Sequence, residues 1–269
     1  MPTWESNNIF AGTAWYYARS RPEYPEQVIR LLADKFKLNK GSRVLDLGCG
    51  TGQVALQLAP LVAEVVAIDP LEEMLQEGRL LATSKGIHNI RWLLGESGNL
   101  AHIALDIGEI DLTVIAQAFH WMDREQTLRD LYPLLKPGGG LVLIMADGPK
   151  TDSPNTDWKI IISNTVRFWM GDVRKAGTKG TYTHPAKRFE TVLVESGFHG
   201  LESYEFKTKR SWTPDSIVGY LYSTSSTSIP VLGDRKEPFE ADLRKRLDAL
   251  DPSGLFEEDA ITEVMIVWK

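Results

Sequence analysis

The chain has 269 residues, 43% of them hydrophobic and 25% charged, and a formal net charge of −6. This length buries a full core without disulfide or metal staples; the single cysteine, Cys49, excludes an intramolecular disulfide and a cysteine-rich zinc site. The acidic balance argues against a bulk polyanion as partner, no apolar run reaches the roughly 18 residues a membrane span needs, and the opening "MPTWESNNIFAG" lacks the basic-then-apolar order of a secretory leader, so a cytoplasmic protein is expected.

Residues 22–37 place Val28, Leu31, Leu32 and Phe36 at helical spacing, with Pro25 suited to the first turn. A short buried strand is expected over 42–47 and a helix over 53–61. A strand over 64–70, ended by Pro70, and a helix over 71–86, closed by Gly86, come next. A strand and its loop over 90–97, a strand over 110–119 and a helix over 124–135 follow, then a turn at 137–140 and a strand over 141–147. Strands alternating with helices at this rhythm form βαβ units, and therefore a parallel sheet covered on both faces. The near-continuous apolar strands agree with such burial.

After Asp147 the pattern loosens. A polar loop is expected over 148–157, a helix over 158–170, a glycine-rich and basic stretch over 171–185, and a helix over 186–198. An alternating strand over 201–212, helices over 213–226 and 237–250, and a closing strand over 261–269 complete the chain.

The chemistry concentrates at Gly48-Cys49-Gly50-Thr51-Gly52, between a strand and a helix. Residues without a Cβ let the backbone approach a ligand there. The spacing is not the G-x-G-x-x-G of a dinucleotide dehydrogenase. Asp46, two residues before the first glycine, would repel a pyrophosphate and favour a cationic ligand such as an ammonium or a sulfonium. Asp69 ends the second strand, where an acidic residue accepts ribose hydroxyls. The pair points to adenosine carrying a cationic methionine tail, that is, S-adenosylmethionine (SAM). Blander readings stand beside these: Asp69 as a helix cap, Asp46 as a loop-shaping acceptor, Cys49 as a small buried filler.

"VLDLGCGTG", followed in order by "AIDP", "GES", "QAFHWMD" and "LLKPGGGLVLI", resembles the class I SAM-dependent methyltransferases. Within them the chain is similar to the small-molecule branch related to ubiquinone-biosynthesis and trans-aconitate methyltransferases, whose Tyr-x-x-x-Arg-Pro-x-Tyr-Pro signature resembles "YYARSRPEYP" at 16–25. The resemblance implies a Rossmann-like α/β fold: a seven-stranded, mostly parallel sheet with helices on both faces, its last strand antiparallel, plus a helical lid from insertions after strands 5 and 6. It implies an N-terminal segment (1–40) closing over the cofactor, a SAM-binding core (41–147), lid or substrate insertions (148–185 and 213–260), and remaining core elements (186–212 and 261–269).

It also implies roles. Gly48 and Gly50 would lie against the methionine part of SAM, Asp46 would reach its amino group, and Asp69 would hold the ribose. Pro70 and Met74 would flank the adenine, and Glu96 and Ser97 occupy the loop where members carry Asp and a small residue. Gln117 and Ala118 would line the cleft, while Tyr17 and Arg21 would close over the methionine end, Arg21 pairing its carboxylate. His120, just past a cleft strand, would line the substrate pocket or act as a general base; the alternative is packing with Trp121.

Methyl transfer is an in-line displacement that needs alignment and exclusion of water more than a dedicated base. The expected activity is therefore methyl transfer from SAM to a small-molecule acceptor, with S-adenosylhomocysteine as product and no metal. A methyltransferase acting on RNA or protein, and a non-catalytic SAM-fold partner subunit, are the alternatives; monomer and homodimer both remain open. The basic residues Arg174, Lys175, Lys179, Lys187 and Arg188, with Asp172 as the nearby counter-charge, form either a solvated loop or a lid that attracts an anionic substrate.

Overall fold

A computed structural model describes residues 9–149, 156–184 and 186–269, without the side chains of residues 105 and 106. Expected segments 1–8 and 150–155, and Pro185, lie outside the described residues. The chain divides into two compact units. One comprises Glu23–Ala146, His184–Phe206 and Thr262–Lys269; the other takes the described parts of Met1–Pro22, Asp147–Thr183 and Lys207–Ile261.

The first of these is the α/β unit. Its strands β1 (Arg43–Leu47), β2 (Glu64–Asp69), β3 (Ile90–Leu94), β4 (Ile110–Ala116) and β5 (Leu135–Ala146) alternate with helices α3 (Gln53–Leu58), α4 (Glu72–Ser84), α5 (Leu100–Ile107) and α6 (Arg124–Leu131). Helix α2 (Glu26–Lys35) precedes them and α8 (Phe189–Val194) follows. Two long strands, β8 (His199–Trp212) and β9 (Phe256–Trp268), complete a seven-stranded sheet of order β3-β2-β1-β4-β5-β9-β8. β1 to β5 pair in parallel, and β9 runs antiparallel to β5 from Gly140↔Trp268 to Ala146↔Thr262. This is the sheet the resemblance implies.

Side-chain alternation explains the layering. Leu45, Leu47, Val66, Ile68, Ile115 and Leu141 turn to one face, packed by α5, α6 and α8. Val44, Val65, Ala67, Leu112, Val114 and Val142 turn to the other, packed by α2, α3 and α4. Strands with adjacent apolar side chains are thus covered on both faces. The order reverses between β1 and β4, so the loops leaving their C-terminal ends flank a crevice.

The second unit is mostly helical. It holds α1 (Ala14–Ser20), α7 (Asp157–Met170), α9 (Pro214–Tyr222), α10 (Ile229–Leu232), α11 (Lys236–Leu250) and a short hairpin of β6 (Lys175–Ala176) and β7 (Gly180–Thr181). Its core gathers Trp158, Ile162, Trp212, Ile217, Leu221, Phe239 and Leu243.

Several expectations need correction. The helix expected over 53–61 is α for six residues and then tightens into a 3₁₀ turn at Ala59–Leu61, where Pro60 cannot continue the ladder. Pro133 does the same after α6, at Tyr132–Leu134. The strand over 110–119 ends at Ala116, and the helix over 186–198 narrows to 189–194. The turn at 137–140 is instead an irregularity inside β5: pairing jumps from Ile110↔Leu135 to Leu112↔Gly140. Gly139 is needed there, because a Cβ would sit 2.7 Å from the Asp111 carbonyl oxygen. Helix α5 has no counterpart in the sequence reading; it is eight residues long, with no side-chain cap to announce it. The basic stretch 171–185 contains the β6–β7 hairpin.

Candidate active site

The glycine loop leaves β1 and is stitched to the end of β2. The Gly48 and Cys49 amides donate to the Ile68 carbonyl at 2.8 and 3.0 Å. The Gly50 amide donates to Asp69 Oδ2 at 2.8 Å. Gly48, Gly50 and Gly52 have φ of 72°, 55° and 81°, in the left-handed region that disfavours side chains. At Gly52 the restriction is also steric, since a Cβ would meet the Trp92 ring at 2.5 Å.

Asp69 is 7% exposed, and both its oxygens accept backbone N–H groups: Oδ2 from Gly50 and Oδ1 from Leu71 at 3.0 Å. The bond to Leu71 closes a turn in the loop and is not a helix cap, since α4 has Leu71 at its N-cap without a side-chain cap bond. A carboxylate offers about four acceptor sites, so two remain for a ligand. Burial pushes its pKa up to about 6, more than the two amides pull it down. Asp46 is 1% exposed, and its Oδ2 accepts from the Ala55 amide of α3 at 3.0 Å. Burial pushes it up to about 7 against that hydrogen bond, and the charge of Asp69 adds to the rise.

Two buried carboxylates are therefore short of stabilising partners in the ligand-free chain. A ribose diol, with two O–H donors, would meet the deficit at Asp69, and an ammonium would meet that at Asp46. The residues present fit a cationic adenosyl ligand. Cys49 is buried and its thiol is pushed well above its usual range, burial first and the two aspartates next. It stays protonated, and so is a poor nucleophile.

The other candidates of this unit sit on the loops after β2, β3 and β4. Pro70 follows Asp69, and Met74 is buried on α4. Glu96 and Ser97 are half-buried behind Gly95, whose amide donates to the Asp69 carbonyl at 3.1 Å. Gln117 leaves β4 at a φ of 54°, uncommon for a residue with a side chain. Its amide donates to the Ile144 carbonyl at 2.8 Å and its Nε2 to the Ala146 carbonyl at 2.5 Å. Ala118 is buried next to it. A Cβ on Gly48 would lie 2.6 Å from the Ala118 Cβ, so the loops after β1 and β4 touch. His120 lies half-buried in the 3₁₀ turn Phe119–Trp121, its ring 4.8 Å from that of Trp121.

Tyr17 and Arg21 belong to the helical unit. The Arg21 guanidinium lies between the rings of Tyr17 and Tyr220, at 4.6 and 4.5 Å. Its Nε donates to Ser223 Oγ at 2.8 Å and its Nη2 to the Ser223 carbonyl at 3.1 Å. Sequence reasoning missed Tyr220 and Ser223 as partners, because they lie about 200 residues along the chain. The basic residues are also better paired than expected. Lys187 lies 2.7 Å from Glu195 and 3.4 Å from Glu125, and Arg174 lies 4.2 Å from the Tyr182 ring. Among the described residues no group of three or more His, Cys, Asp or Glu could hold a metal ion.

Residues 44–139 match the family model described as a methyltransferase domain. An uncharacterized methyltransferase of Mycobacterium tuberculosis is 33% identical over 217 residues, covering 80% of this chain and 76% of that protein. An uncharacterized methyltransferase of Schizosaccharomyces pombe is 34% identical over 129 residues, and the chain spans about half of that relative, 48% of its length. The demethylmenaquinone methyltransferase of Listeria monocytogenes is 30% identical over 139 residues, covering 50% of this chain and 55% of that enzyme. Among solved structures, the YcgJ protein of Bacillus subtilis shares the fold at a TM-score of 0.56 and 16% identity, over 91% of this chain and 99% of that one.

Proposed function

We propose that this chain, which belongs to the SAM-dependent methyltransferase family, transfers the methyl group of SAM to a small organic acceptor in the cytoplasm. One observation carries the cofactor reading: Asp46 and Asp69 are buried beside the glycine loop with their charges under-compensated. When bound, SAM supplies a methyl group on a sulfonium that departs as a neutral thioether.

The chain's own residues bind and orient. In this proposal Asp69 accepts the ribose hydroxyls at its two remaining acceptor sites, and Asp46 faces the ammonium. Gly48 and Gly50 admit the methionine backbone, and Pro70 and Met74 flank the adenine beside Glu96 and Ser97. Gln117 and Ala118 form the cleft wall past β4. His120 is a candidate for holding an acceptor proton. The small-molecule acceptor is supported by the acidic charge balance and by the name of the Listeria relative.

Calorimetry tests the cofactor assignment. The wild-type chain is expected to bind SAM and S-adenosylhomocysteine, and Asp69→Ala to weaken both at least about tenfold by removing charge-assisted hydrogen bonds. Unchanged affinity in that variant overturns the ribose role. Incubation of a metabolite pool with methyl-labelled SAM, followed by mass identification, tests the acceptor class. Label confined to protein or RNA overturns the small-molecule reading.

A further inference from the structure

Trp92 has no role in the reading above, yet two elements of the site are shaped around it. It is the middle residue of β3, half-buried against the side chains on the α2, α3 and α4 face of the sheet. The far edge of its indole, atoms Cη2 and Cζ3, meets glycines from two different elements. A Cβ on Gly52, at the end of the glycine loop, would lie 2.5 and 3.0 Å from those atoms. A Cβ on Gly78, in α4, would lie 2.6 Å from both. These distances are well under the roughly 3.5–4.0 Å at which carbon atoms pack. The indole therefore takes the space that two side chains would need.

Gly78 is the central residue of the 13-residue helix α4, where glycine weakens a helix and no turn requires it. The neighbouring ring supplies the requirement that the helix does not. The loop and α4 also approach one another directly, since a Cβ on Gly78 would lie 3.2 Å from the Thr51 carbonyl oxygen. Each contact leads on to a group assigned to SAM. Gly52 is the N-cap of α3, whose Ala55 amide donates to Asp46, and Gly50 in the same loop donates to Asp69. On α4, Gly78 follows the buried Met74 by four residues and so shares its face of the helix.

We propose that Trp92 is a positioning residue for SAM: through Gly52 and Gly78 its indole sets the separation between the glycine loop, which takes the methionine part, and α4, which takes the adenine side. The inference rests on the SAM reading above and adds to it a residue that none of the motifs contains. Such a role differs from ordinary packing in what it disturbs. Adenosine engages Asp69 and the α4 side alone, whereas S-adenosylhomocysteine spans both elements. A changed separation weakens the longer ligand and spares the shorter.

The test measures the Kd of S-adenosylhomocysteine and of adenosine by calorimetry on the full chain, beside the melting temperature. Trp92→Phe, which shortens the ring, should weaken S-adenosylhomocysteine at least about fivefold and adenosine less than about twofold. Gly78→Ala should do the same, because its Cβ displaces the indole. In the double variant W92F/G78A the added Cβ has room, so the further effect of Gly78→Ala on S-adenosylhomocysteine should fall below about twofold. Equal losses for the two ligands, additive losses in the double variant, or an unchanged S-adenosylhomocysteine Kd in both single variants would each overturn the positioning role and leave Trp92 as packing. If W92F does not fold, the two ligands measured on G78A decide; if adenosine binds too weakly to measure, the coupling between the substitutions decides. A wild-type chain that binds neither ligand overturns the SAM reading, and this inference with it; one that binds S-adenosylhomocysteine while the variants match it overturns this inference alone.

Discussion

Buried carboxylates are treated differently in the two units. In the α/β unit, Asp46 and Asp69 are answered only by backbone amides, and burial raises both pKa values. In the helical unit Glu258, 3% exposed, lies 3.4 Å from the ammonium of Lys159, itself 4% exposed, and accepts from Trp212 Nε1 at 2.5 Å. Glu258 has a buried cation and an indole N–H beside it, while its Oε1 accepts no hydrogen bond among the described residues. Among the described residues Asp46 and Asp69 have backbone amides as hydrogen-bond partners and no ion pair, and it is this difference in positive charge that the proposed cofactor role draws on.

The largest test of this contrast is Lys159→Met. Stranding Glu258 without its cation should destabilise the protein by about 3–5 kcal/mol in denaturant unfolding, and adding Glu258→Met should restore most of the loss. A single-variant loss below about 1 kcal/mol would show that Glu258 is not held by its partner. Gly52→Ala comes next. Left-handed backbone and a collision with Trp92 together should remove about 3 kcal/mol, read as a lower urea midpoint with unchanged slope.

Asp46→Asn should separate stability from binding. The amide can still accept from Ala55, so the ligand-free variant should lose little stability, while SAM binding weakens about tenfold for want of the charge. The sign with pH follows from the raised pKa. The stability contributed by protonated Asp46 is fully present below about pH 4 and is lost as pH rises through about 7. The stability difference, wild type minus Asn, should therefore shrink across that window, while SAM affinity of the wild type rises through pH 6–7 as both carboxylates ionise. A flat difference would mean that Asp46 does not titrate there. The smallest effect is expected at the Arg30–Glu26 pair, 72% and 74% exposed, where Glu26→Gln should change stability by less than about 0.5 kcal/mol.

The parts that could be read in advance are those whose cause is local. Apolar strands, the alternate glycines 48, 50 and 52, and a carboxylate at the end of β2 each state a requirement within a few residues. The parts that could not be read depend on distant partners or on weak local signals. Helix α5 carries no capping side chain, and the glycines at 138–140 look like a turn until Asp111 is seen beside them. The Arg21 guanidinium stacks on Tyr17 and Tyr220 and donates to Ser223; Tyr220 and Ser223 are partners about 200 residues away that no local pattern announces.

By itself the sequence determined the βαβ rhythm, the glycine loop and the identity of the cofactor. Backbone conformation and apolar periodicity are properties of adjacent residues, and the motifs that resemble the SAM-dependent methyltransferases follow one another in order along the chain. Tertiary structure decided which charges are left unanswered. Desolvation depends on everything packed around a group, and it separates Asp46 and Asp69 from Glu258; packing likewise brings Gly52, Gly78 and Trp92 together.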